Sequence, residues 1–443
     1  YPTRGHPSGT DRIATDVGFF VNGNFSLFNR YFVDGSFRTS GSSRFGADNS
    51  FAPFWAAGIG WNIHNESFLE DAPWMERLTL RYSTGYTGSV SFDYYQAKTV
   101  YEYNSNYQYY TGIGAIPVSM GNPNLSWQKK FNNNVGITAT LFKSRLNLSF
   151  DWYTNTTYDL LMPINLPPSV GVSSMNVNFG QINNSGFDFS LSGHIISTKD
   201  WFWSMTLTGG HVMDRINNIS TVLKGTEADA VGSAGDAVMP KLLFTEGGSQ
   251  FDIYAVRSAG IDPATGQEIF IKKDGTYTYK YDEDDRVAVG NSNPVLSGSW
   301  INTVRYKGFS LSITTSYTFG ADFYNTTLQS KVENIDPYKN VDSRAYTERW
   351  KNPGDLVRFL AISTTNNQMV NSERFVERRN ELYVSNVQFT YDFQTRWLNK
   401  IGLKRLCLGV GMSDIGYIST VKFERGTSYP YCRSINLIFR PTF

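Results

Sequence analysis

The stretch FSLSITTSYTF, residues 309 to 319, alternates two kinds of side chain along its whole length. Its even positions hold only Ser and Thr, whereas its odd positions are mainly aromatic or aliphatic: Phe309, Leu311, Ile313, Thr315, Tyr317 and Phe319. A period of two residues is that of a β-strand whose faces meet different surroundings. The run is also about twice as long as the roughly 5 to 6 residues typical of strands in soluble proteins. We therefore predict a long, two-faced strand here.

The end of the chain, PYCRSINLIFRPTF from Pro430 to Phe443, repeats this alternation. From position 435 onward every odd position is apolar, and among the even positions only Ile438 breaks the pattern. A strand of a soluble β-sandwich can show the same alternation, so one segment does not decide the fold. The fold depends on how often the pattern recurs.

Comparable alternation recurs in segments of about 10 residues or more, which is the length that a tilted strand needs to cross a bilayer. The predicted fold class is therefore all-β, an antiparallel barrel that spans a membrane. We predict about 13 strands, near residues 17–28, 31–40, 53–63, 77–87, 127–142, 145–157, 183–195, 200–213, 297–307, 308–320, 381–394, 403–413 and 431–443.

The connections between these strands alternate between short and long. Short ones lie at 29–30, 143–144, 197–200 and 307–308, and two of medium length lie at 65–76 and 395–402. Long ones lie at 41–52, 88–126, 158–182, 214–296, 321–380 and 414–430. Outer-membrane barrels show this asymmetry, with short turns in the periplasm and long loops outside the cell. We therefore predict that residues 1–443 belong to one outer-membrane barrel domain.

The two medium connections and the longest loop contain further predicted structure. Residues 65–78 and 394–403 place apolar side chains three or four positions apart, which predicts short amphipathic helical turns. The loop 214–296 contains IDPATGQEIF and then KKDGTYTY, whose Asp-Gly pair between extended runs predicts a small hairpin outside the barrel.

Composition agrees with strands that end at membrane interfaces. Aromatic residues make up 15% of the chain and charged residues only 18%, against about 25% charged residues in soluble domains. Tyr and Trp form girdles at the rims of such barrels, and we assign that place, in preference to ligand contacts, to Trp55, Trp61, Trp152, Trp201 and Trp203. A net charge of +1 gives no indication of a nucleic-acid partner. No run approaches the roughly 20 apolar residues of a membrane-spanning helix.

An odd number of strands is unusual, because bacterial single-chain barrels have even numbers with both ends in the periplasm. Counting back from the last strand would start this chain outside the cell. We therefore expect the N-terminal half of the barrel to lie outside this sequence, and the last strand to pair with that half.

Several blocks, taken in order, resemble the C-terminal half of the SusC/RagA family of TonB-dependent outer-membrane transporters of Bacteroidetes. They cover essentially all of the chain, and the block at Gly121 departs from the family's pattern only at Gln128, where Glu is usual. The blocks are RYFVDGSFRTSGSSRFG, FAPFWAAGIGWNI, NESFLED, LTLRYSTGYTGS, GNPNLSWQKKFNNNVGI, DLLMPINLPPSVG, NFGQINNSGFDFSLS, VRSAGIDPATGQEIF, NPVLSGSWINTVRYKGFSLSI and YVSNVQFTYDF, with a terminal aromatic at Phe443.

This resemblance implies a 22-stranded barrel with an internal plug. It also implies a SusD-like surface lipoprotein as a lid, energy supplied by TonB through an upstream segment, and a dimer of SusCD pairs in the outer membrane. The cargo that it implies is an oligosaccharide or a peptide.

Catalytic and metal sites find little support in the sequence. The four histidines lack metal-ligand spacing, and no hydrolase or zinc motif is present, so we expect no enzyme and no cofactor. The acidic run Asp282 to Asp285 could bind Ca²⁺ in an outer loop, but a solvated charge run is the simpler interpretation. Cys407 and Cys432 lie on the last two predicted strands, about four residues out of step, so a disulfide between them is left open.

Two sets of residues are candidates for ligand contact. A Tyr-rich loop offers flat rings with hydroxyl groups for stacking on sugars or peptides, although the same rings could pack the loop itself or a partner protein. Its members are Tyr94, Tyr95, Tyr101, Tyr103, Tyr107, Tyr109 and Tyr110. Charged side chains predicted to face the barrel lumen could line the permeation path or pair with the plug and with each other. These are Arg38, Arg81, Asp151 and Asp392.

The leading hypothesis is thus active import of a nutrient oligomer. A non-transporting barrel that binds host or matrix ligands through its loops is the alternative, and a soluble lectin-like β-sandwich is a third. The sequence does not distinguish a glycan cargo from a peptide cargo, because aromatic loops fit both.

Overall fold

The computed structural model describes residues 12–46, 50–89, 94–110, 112–218, 227–228, 242–243, 245–335, 338, 340–362, 370–393, 398, 402–422 and 432–443. Thirteen long strands form one antiparallel sheet, in which each pairs with the next along the chain and the first and last lie at the edges. They are β1 (Asp16–Leu27), β2 (Tyr31–Ser42), β3 (Phe51–Asn62), β4 (Met75–Ser89), β7 (Gln128–Leu141), β8 (Leu146–Tyr158), β11 (Gln181–Ser197), β12 (Trp201–Asn217), β19 (Leu296–Tyr306), β20 (Phe309–Tyr324), β21 (Val376–Phe393), β22 (Arg405–Ser419) and β23 (Ile435–Thr442).

The remaining elements lie in the connections. Two hairpins and a two-residue pair are formed by β5 (Val100–Tyr109) with β6 (Gly112–Ser119), β9 (Leu161–Asn165) with β10 (Ser174–Asn178), and β13 (Glu227–Ala228) with β14 (Leu242–Leu243). A four-stranded sheet is formed by β15 (Asp252–Ile261), β16 (Glu268–Ile271), β17 (Tyr277–Thr278) and β18 (Arg286–Asn291). The helical segments are α1 (Thr326–Leu328), α2 (Arg344–Thr347), a π-helical turn Gln329–Glu333, and 3₁₀ turns at Ile63–Asn65, Ser67–Leu69, Pro168–Val170, Glu283–Asp285 and Glu373–Phe375.

The predicted alternation places apolar side chains opposite one another across the large sheet. On β22 and β23, Val410 pairs with Leu437 and Leu408 with Phe439. Ile438, which breaks the alternation, lies opposite Gly409 on the other face. The sheet therefore has an apolar face and a polar face, and we use these two names below.

Aromatic side chains form a row on the apolar face near one end of the strands. Phe37, Trp55, Tyr86 and Phe131 are successive cross-strand partners on β2, β3, β4 and β7. The Trp55 and Tyr86 ring centroids are 5.9 Å apart, and those of Tyr86 and Phe131 are 4.7 Å apart. The row marks one level of the sheet across four strands.

A second group of aromatic side chains lies at the opposite end of the same face. Tyr31 stacks on Trp61 with centroids 6.4 Å apart, and Trp201 lies 4.4 Å from Tyr306. Glu66 accepts hydrogen bonds from the Tyr31 hydroxyl at 2.8 Å and from Trp61 Nε1 at 2.9 Å, so the polar tips of both rings are satisfied.

The connections sort by length onto the two ends of the sheet. At the short-turn end, tight turns depend on left-handed backbone at Phe28, Asn29, Lys143 and Lys307, whose φ values are 53°, 54°, 56° and 52°. The medium connection after β3 contains two 3₁₀ turns, at 63–65 and 67–69, and the second lies within the segment 65–78 for which a short helical turn is predicted. Of the other predicted turn, 394–403, only residues 398, 402 and 403 are described.

The long-loop end carries structure that the sequence did not indicate. The predicted loops 88–126 and 158–182 contain the hairpins β5–β6 and β9–β10. The described residues of 245–295 and 321–376 pack together around one apolar cluster, and we call them the outer-loop unit. The buried members of the cluster are Ile253, Ala255, Tyr324, Leu328, Val332, Ala345, Phe359 and Phe375. The predicted Asp274-Gly275 turn joins β16 and β17, with Gly275 at a φ of +86°.

Strand bounds differ from prediction mainly at the long-loop end. Strand β21 begins at Val376 rather than near 381, because its first residues pair with the extension of β20 from Ala321 to Tyr324. In the part of the chain that the structure describes, no helix combines the length and the apolarity needed to cross a membrane.

The two cysteines are both free and are farther out of register than the predicted four residues. Cys407 pairs with Arg440 across β22 and β23, which is eight positions from Cys432. Strand residues rise by about 3.4 Å each, so a disulfide between the two would require a different register.

Candidate binding surface on the polar face

Arg81 and Asp151, both predicted to face the lumen, lie together on the polar face. Their side chains form an ion pair at 3.8 Å that crosses the intervening strand β7 over Gly136. A Cβ at Gly136 would overlap the Asp151 carboxylate, so the glycine keeps this crossing open. The pair neutralises both charges within the wall of the sheet.

Asp392, another predicted lumen residue, lies near the short-turn end and is also paired. Arg405 on the neighbouring strand β22 donates to it from Nε at 3.0 Å and from Nη2 at 2.5 Å. This two-pronged contact is the strong geometry for a guanidinium and a carboxylate. Asp392 is therefore held by a neighbouring strand.

Arg38 has no such partner among the described residues. Its Nε donates to Ser40 Oγ at 2.7 Å, and its guanidinium lies flat over Gly18 of β1. It lies opposite Phe54, next to the aromatic row that contains Phe37 and Trp55. Arg38 is thus on the polar face at the level of that row, near the long-loop end.

Two recesses flank the Arg38 side chain and share Trp127 as a wall. One, of about 270 Å³, is lined by Asp16, Gly18, Arg38, Ser40, Arg44 and Trp127 among others, and the other, of about 320 Å³, is lined by Ser36, Arg38, Phe54, Thr87, Gly88 and Trp127 among others. Trp127 is 8% exposed and is fixed by Phe45 and Phe54, whose ring centroids lie 4.4 and 5.4 Å away.

A third recess, of about 360 Å³, lies on the polar face between β8 and β19. Tyr153 and Asp188 line it, and Gly210 forms part of its floor. Asp188 lies directly opposite Asp151 in the register of β8 and β11. The polar face therefore has a basic region near β2 and a more acidic region near β11.

The Tyr-rich loop is only partly described. Tyr94 and Tyr95 have ring centroids 6.4 Å apart, and the Arg44 guanidinium lies 4.8 Å from the Tyr94 ring centroid. Tyr101, Tyr103 and Tyr110 are exposed. The side chains of Tyr107 and Tyr109 lie outside the described residues. The structure thus brings Tyr94 and Tyr95 near Arg44, while a ligand role for the seven tyrosines stays a prediction.

The outer-loop unit contains a buried ionic network. Arg374 donates to Glu268 at 2.7 Å and to Glu333 at 2.8 Å, and all three side chains are at most 9% exposed. Burial lowers the pKa of the Arg374 guanidinium, but hydrogen bonds and charge from Glu268 and Glu333 outweigh burial and raise that pKa above its usual value. The network joins β16 to the segment before β21.

The acidic run at 282–285 makes local contacts. Asp282 accepts from the Asp284 backbone N–H at 3.0 Å, Asp285 accepts from the Lys273 N–H at 3.1 Å, and Glu283 pairs with Arg286 at 3.4 Å. Within the described ranges, no three His, Cys, Asp or Glu side chains lie close enough together to hold a metal ion. Calcium binding here stays a prediction.

Comparison with known proteins decides the family. Residues 1–359 match the family described as TonB dependent receptor-like, beta-barrel. The chain belongs to this family.

Individual TonB-dependent receptors are similar over most of the chain. TonB-dependent receptor P39 of Formosa agariphila is 27% identical over 427 residues, which cover 87% of this chain and 41% of the relative. TonB-dependent receptor SusC of Bacteroides thetaiotaomicron is 27% identical over 399 residues, covering 86% of this chain and 38% of the relative. The chain thus spans about two fifths of the length of these receptors.

A solved structure described as the RagAB peptide transporter has the same fold. It superposes with a TM-score of 0.78 at 23% sequence identity, covering 92% of this chain and 44% of that chain. The SusC/RagA resemblance and the all-β barrel fold class are thereby confirmed, with 13 strands in the sheet. Members of this family are outer-membrane receptors and not enzymes, which confirms the prediction that the chain is not an enzyme.

Sequence patterns did not single out four residues that define the recesses: Arg44, Trp127, Tyr153 and Asp188. The alternation in FDFSLS places Asp188 on the same face as Ser190. It does not show that Asp151 is the neighbour of Asp188, because that depends on the register of two strands joined by a long connection. Arg44 and Trp127 lie outside the strands, where no periodicity exists to orient them.

Proposed function

We propose that this chain is part of the wall of a TonB-dependent importer that moves a nutrient oligomer, an oligosaccharide or a peptide, across the outer membrane. In this proposal the apolar face meets lipid and the polar face lines the lumen. The short-turn end lies in the periplasm, and the outer-loop unit lies outside the cell. A SusD-like lipoprotein covers the long-loop end, and two such pairs associate as a dimer.

The observation that supports this proposal most strongly is the division of one 13-stranded sheet into an apolar and a polar face. The aromatic groups lie on the apolar face at both ends of the strands, as in the girdles of outer-membrane barrels. The polar face carries charged side chains and recesses, which a lipid-facing or tightly packed surface would not tolerate.

The two edges of the sheet support a further part of the proposal. Strands β1 and β23 each have one side without a partner strand in the described sheet. Open edges in a membrane leave backbone groups unsatisfied, so a barrel must close. We propose that the N-terminal half of the barrel pairs with both edges and that the plug lies against the polar face around Arg81, Asp151 and Asp392.

An uptake experiment tests import. Fluorescent oligosaccharides and peptides of graded length are supplied to cells with the intact gene, cells without it, and cells without TonB. The proposal predicts that only the cells with the intact gene and TonB take up at least one oligomer. It also predicts that a surface lipoprotein is recovered with the receptor after mild solubilisation. Equal uptake by all three strains for every oligomer would contradict import, and recovery of the receptor without any lipoprotein would contradict the proposed lid.

A further inference from the structure

Arg38 and Arg44 differ from Arg81 and Arg405, which form ion pairs on the polar face. Arg81 pairs with Asp151 across one intervening strand, and Arg405 pairs with Asp392 on the neighbouring strand. Arg38, by contrast, makes one hydrogen bond, to the neutral hydroxyl of Ser40. A guanidinium has five N–H donors, so most of the hydrogen-bonding capacity of Arg38 is unused by the described chain.

Arg44 is the second uncompensated cation. Its guanidinium lies over the Tyr94 ring at 4.8 Å, and its Nε is enclosed without an acceptor. An enclosed donor without an acceptor costs free energy, and a cation near an aromatic wall is less well hydrated than one in open water. Both effects favour an anion as the missing partner.

The two arginines line the same recess, whose back wall is the fixed edge of Trp127. Asp16 also lines this recess, but it forms no ion pair within 4.0 Å with either described arginine. Gly18 allows the Arg38 guanidinium to lie flat against the strand, since a Cβ there would come within 3.3 Å of Nη2. The recess therefore carries two arginines against one aspartate and has a packed aromatic wall.

We propose that Arg38 and Arg44 form an oxyanion-binding site for a carboxylate or sulfate group carried by the cargo. A guanidinium fork matches the paired oxygens of such groups. The site lies at the level of the aromatic row near the long-loop end, where an incoming oligomer first meets the polar face. The site makes the transporter bind acidic oligomers more tightly than neutral ones. This inference rests on the proposed import function.

Binding to the whole transporter, purified with its partner chains, tests this site. The probes are three matched pairs: a tetragalacturonate and its methyl ester, a sulfated oligosaccharide and its desulfated form, and one peptide made with Glu or with Gln. The site predicts tighter binding of the acidic member in at least one pair, weakened by salt because the attraction is electrostatic. Which pair shows the preference identifies the source of the oxyanion.

Substitutions at the two arginines test whether they cause the preference for the acidic member. Arg38→Gln with Arg44→Gln is expected to weaken binding of the acidic member by about tenfold or more and to leave the neutral member unchanged. Arg305→Gln with Lys307→Gln is the matched control, since these two side chains lie over Phe202 and Tyr306 near the short-turn end and their replacement removes the same two positive charges. No acidic preference in any pair, or an unchanged preference in the double variant, would overturn the proposal.

Two further outcomes are distinguishable. If a plug carboxylate holds the arginines, the double variant lowers thermal stability without changing the acidic preference, which overturns the assignment to cargo. If acidic binding is lost in the double variant but uptake does not depend on TonB, the oxyanion site stands and the proposed import fails.

Discussion

At the scale of single residues, glycines allow neighbouring strands to share side-chain space. Tyr317 reaches across the apolar face and donates from its hydroxyl to the Thr208 carbonyl at 2.8 Å. Its path crosses Gly209 and Gly298, and a Cβ at Gly298 would overlap the same carbonyl oxygen. No flexible side chain can move away there, because the obstacle is backbone.

Gly298→Ala is therefore expected to lower the free energy of unfolding by about 1–3 kcal/mol, the usual cost of overpacking. Gly23→Ala is the matched control, since nothing lies within 4 Å of its added Cβ, and its effect should stay within about 0.5 kcal/mol. The urea midpoint for loss of the compact band in semi-native electrophoresis measures both. Equal urea midpoints for the two variants would show that the close approach at Gly298 does not contribute to stability.

The stability of the outer-loop unit depends on pH through the carboxyl group of Asp342. Its carboxylate accepts from the Arg344 backbone N–H at 2.9 Å and from the Arg344 side chain at 2.9 and 2.7 Å. These hydrogen bonds hold the pKa of Asp342 well below its usual range. The lowered pKa means that the folded state favours the ionised form. Its contribution is complete above the unfolded value of about 3.9 and is lost as the pH falls below it.

Asp342→Asn is expected to speed amide exchange in residues 342–349 at pH 7 roughly tenfold, equivalent to about 1.4 kcal/mol. The ratio of variant to wild-type rates at the same pH cancels the intrinsic exchange rate. That ratio should begin to fall once the pH drops below about 3.9 and should reach one only below the lowered pKa of Asp342 in the folded state. A ratio that stays constant from pH 7 downward would contradict a role for the ionised carboxylate.

At the scale of elements, the outer-loop unit depends on three buried charges. Arg374 is the cation that forms ion pairs with both Glu268 and Glu333. Removing it leaves two buried carboxylates unpaired, which typically costs about 3–5 kcal/mol.

Arg374→Ala is therefore expected to open the unit, so that trypsin cuts between residues 321 and 376 while the large sheet stays intact. Arg378→Ala is the matched control, because its pair with Asp322 at 3.0 Å is 56% exposed on the arginine side and such exposed pairs contribute about 0–1 kcal/mol. Identical cleavage of both variants would mean that apolar packing alone holds the unit together.

The sequence predicted these elements where their side chains follow a regular period. The alternation in 309–319 and 435–443 specified strands and their faces, because a side-chain period of two is a local property. Register across long connections is not local, so neither the offset of Cys407 from Cys432 nor the Asp151 and Asp188 neighbours followed from it. The outer-loop unit could not be predicted because contacts between residues about 100 apart, such as Glu268 with Arg374, define it.

At the scale of the whole molecule, the family assignment and the two-faced sheet agree. The chain spans about two fifths of the length of related receptors, such as 41% of TonB-dependent receptor P39. The structure places Arg38 and Arg44 near the long-loop end of the sheet. The transport proposal adds that this end lies outside the cell. Orientation in the membrane is therefore the claim on which the functional account depends.

Site-directed labelling in intact cells tests that orientation most directly. Cys407 and Cys432 are first replaced by Ser, and a single cysteine is then introduced by Lys273→Cys in the β16–β17 turn or by Lys199→Cys in the β11–β12 turn. The account predicts that a membrane-impermeant maleimide labels the variant at 273 in intact cells and the variant at 199 only after the outer membrane is permeabilised. Labelling of position 199 in intact cells, at a rate equal to that of position 273, would contradict it.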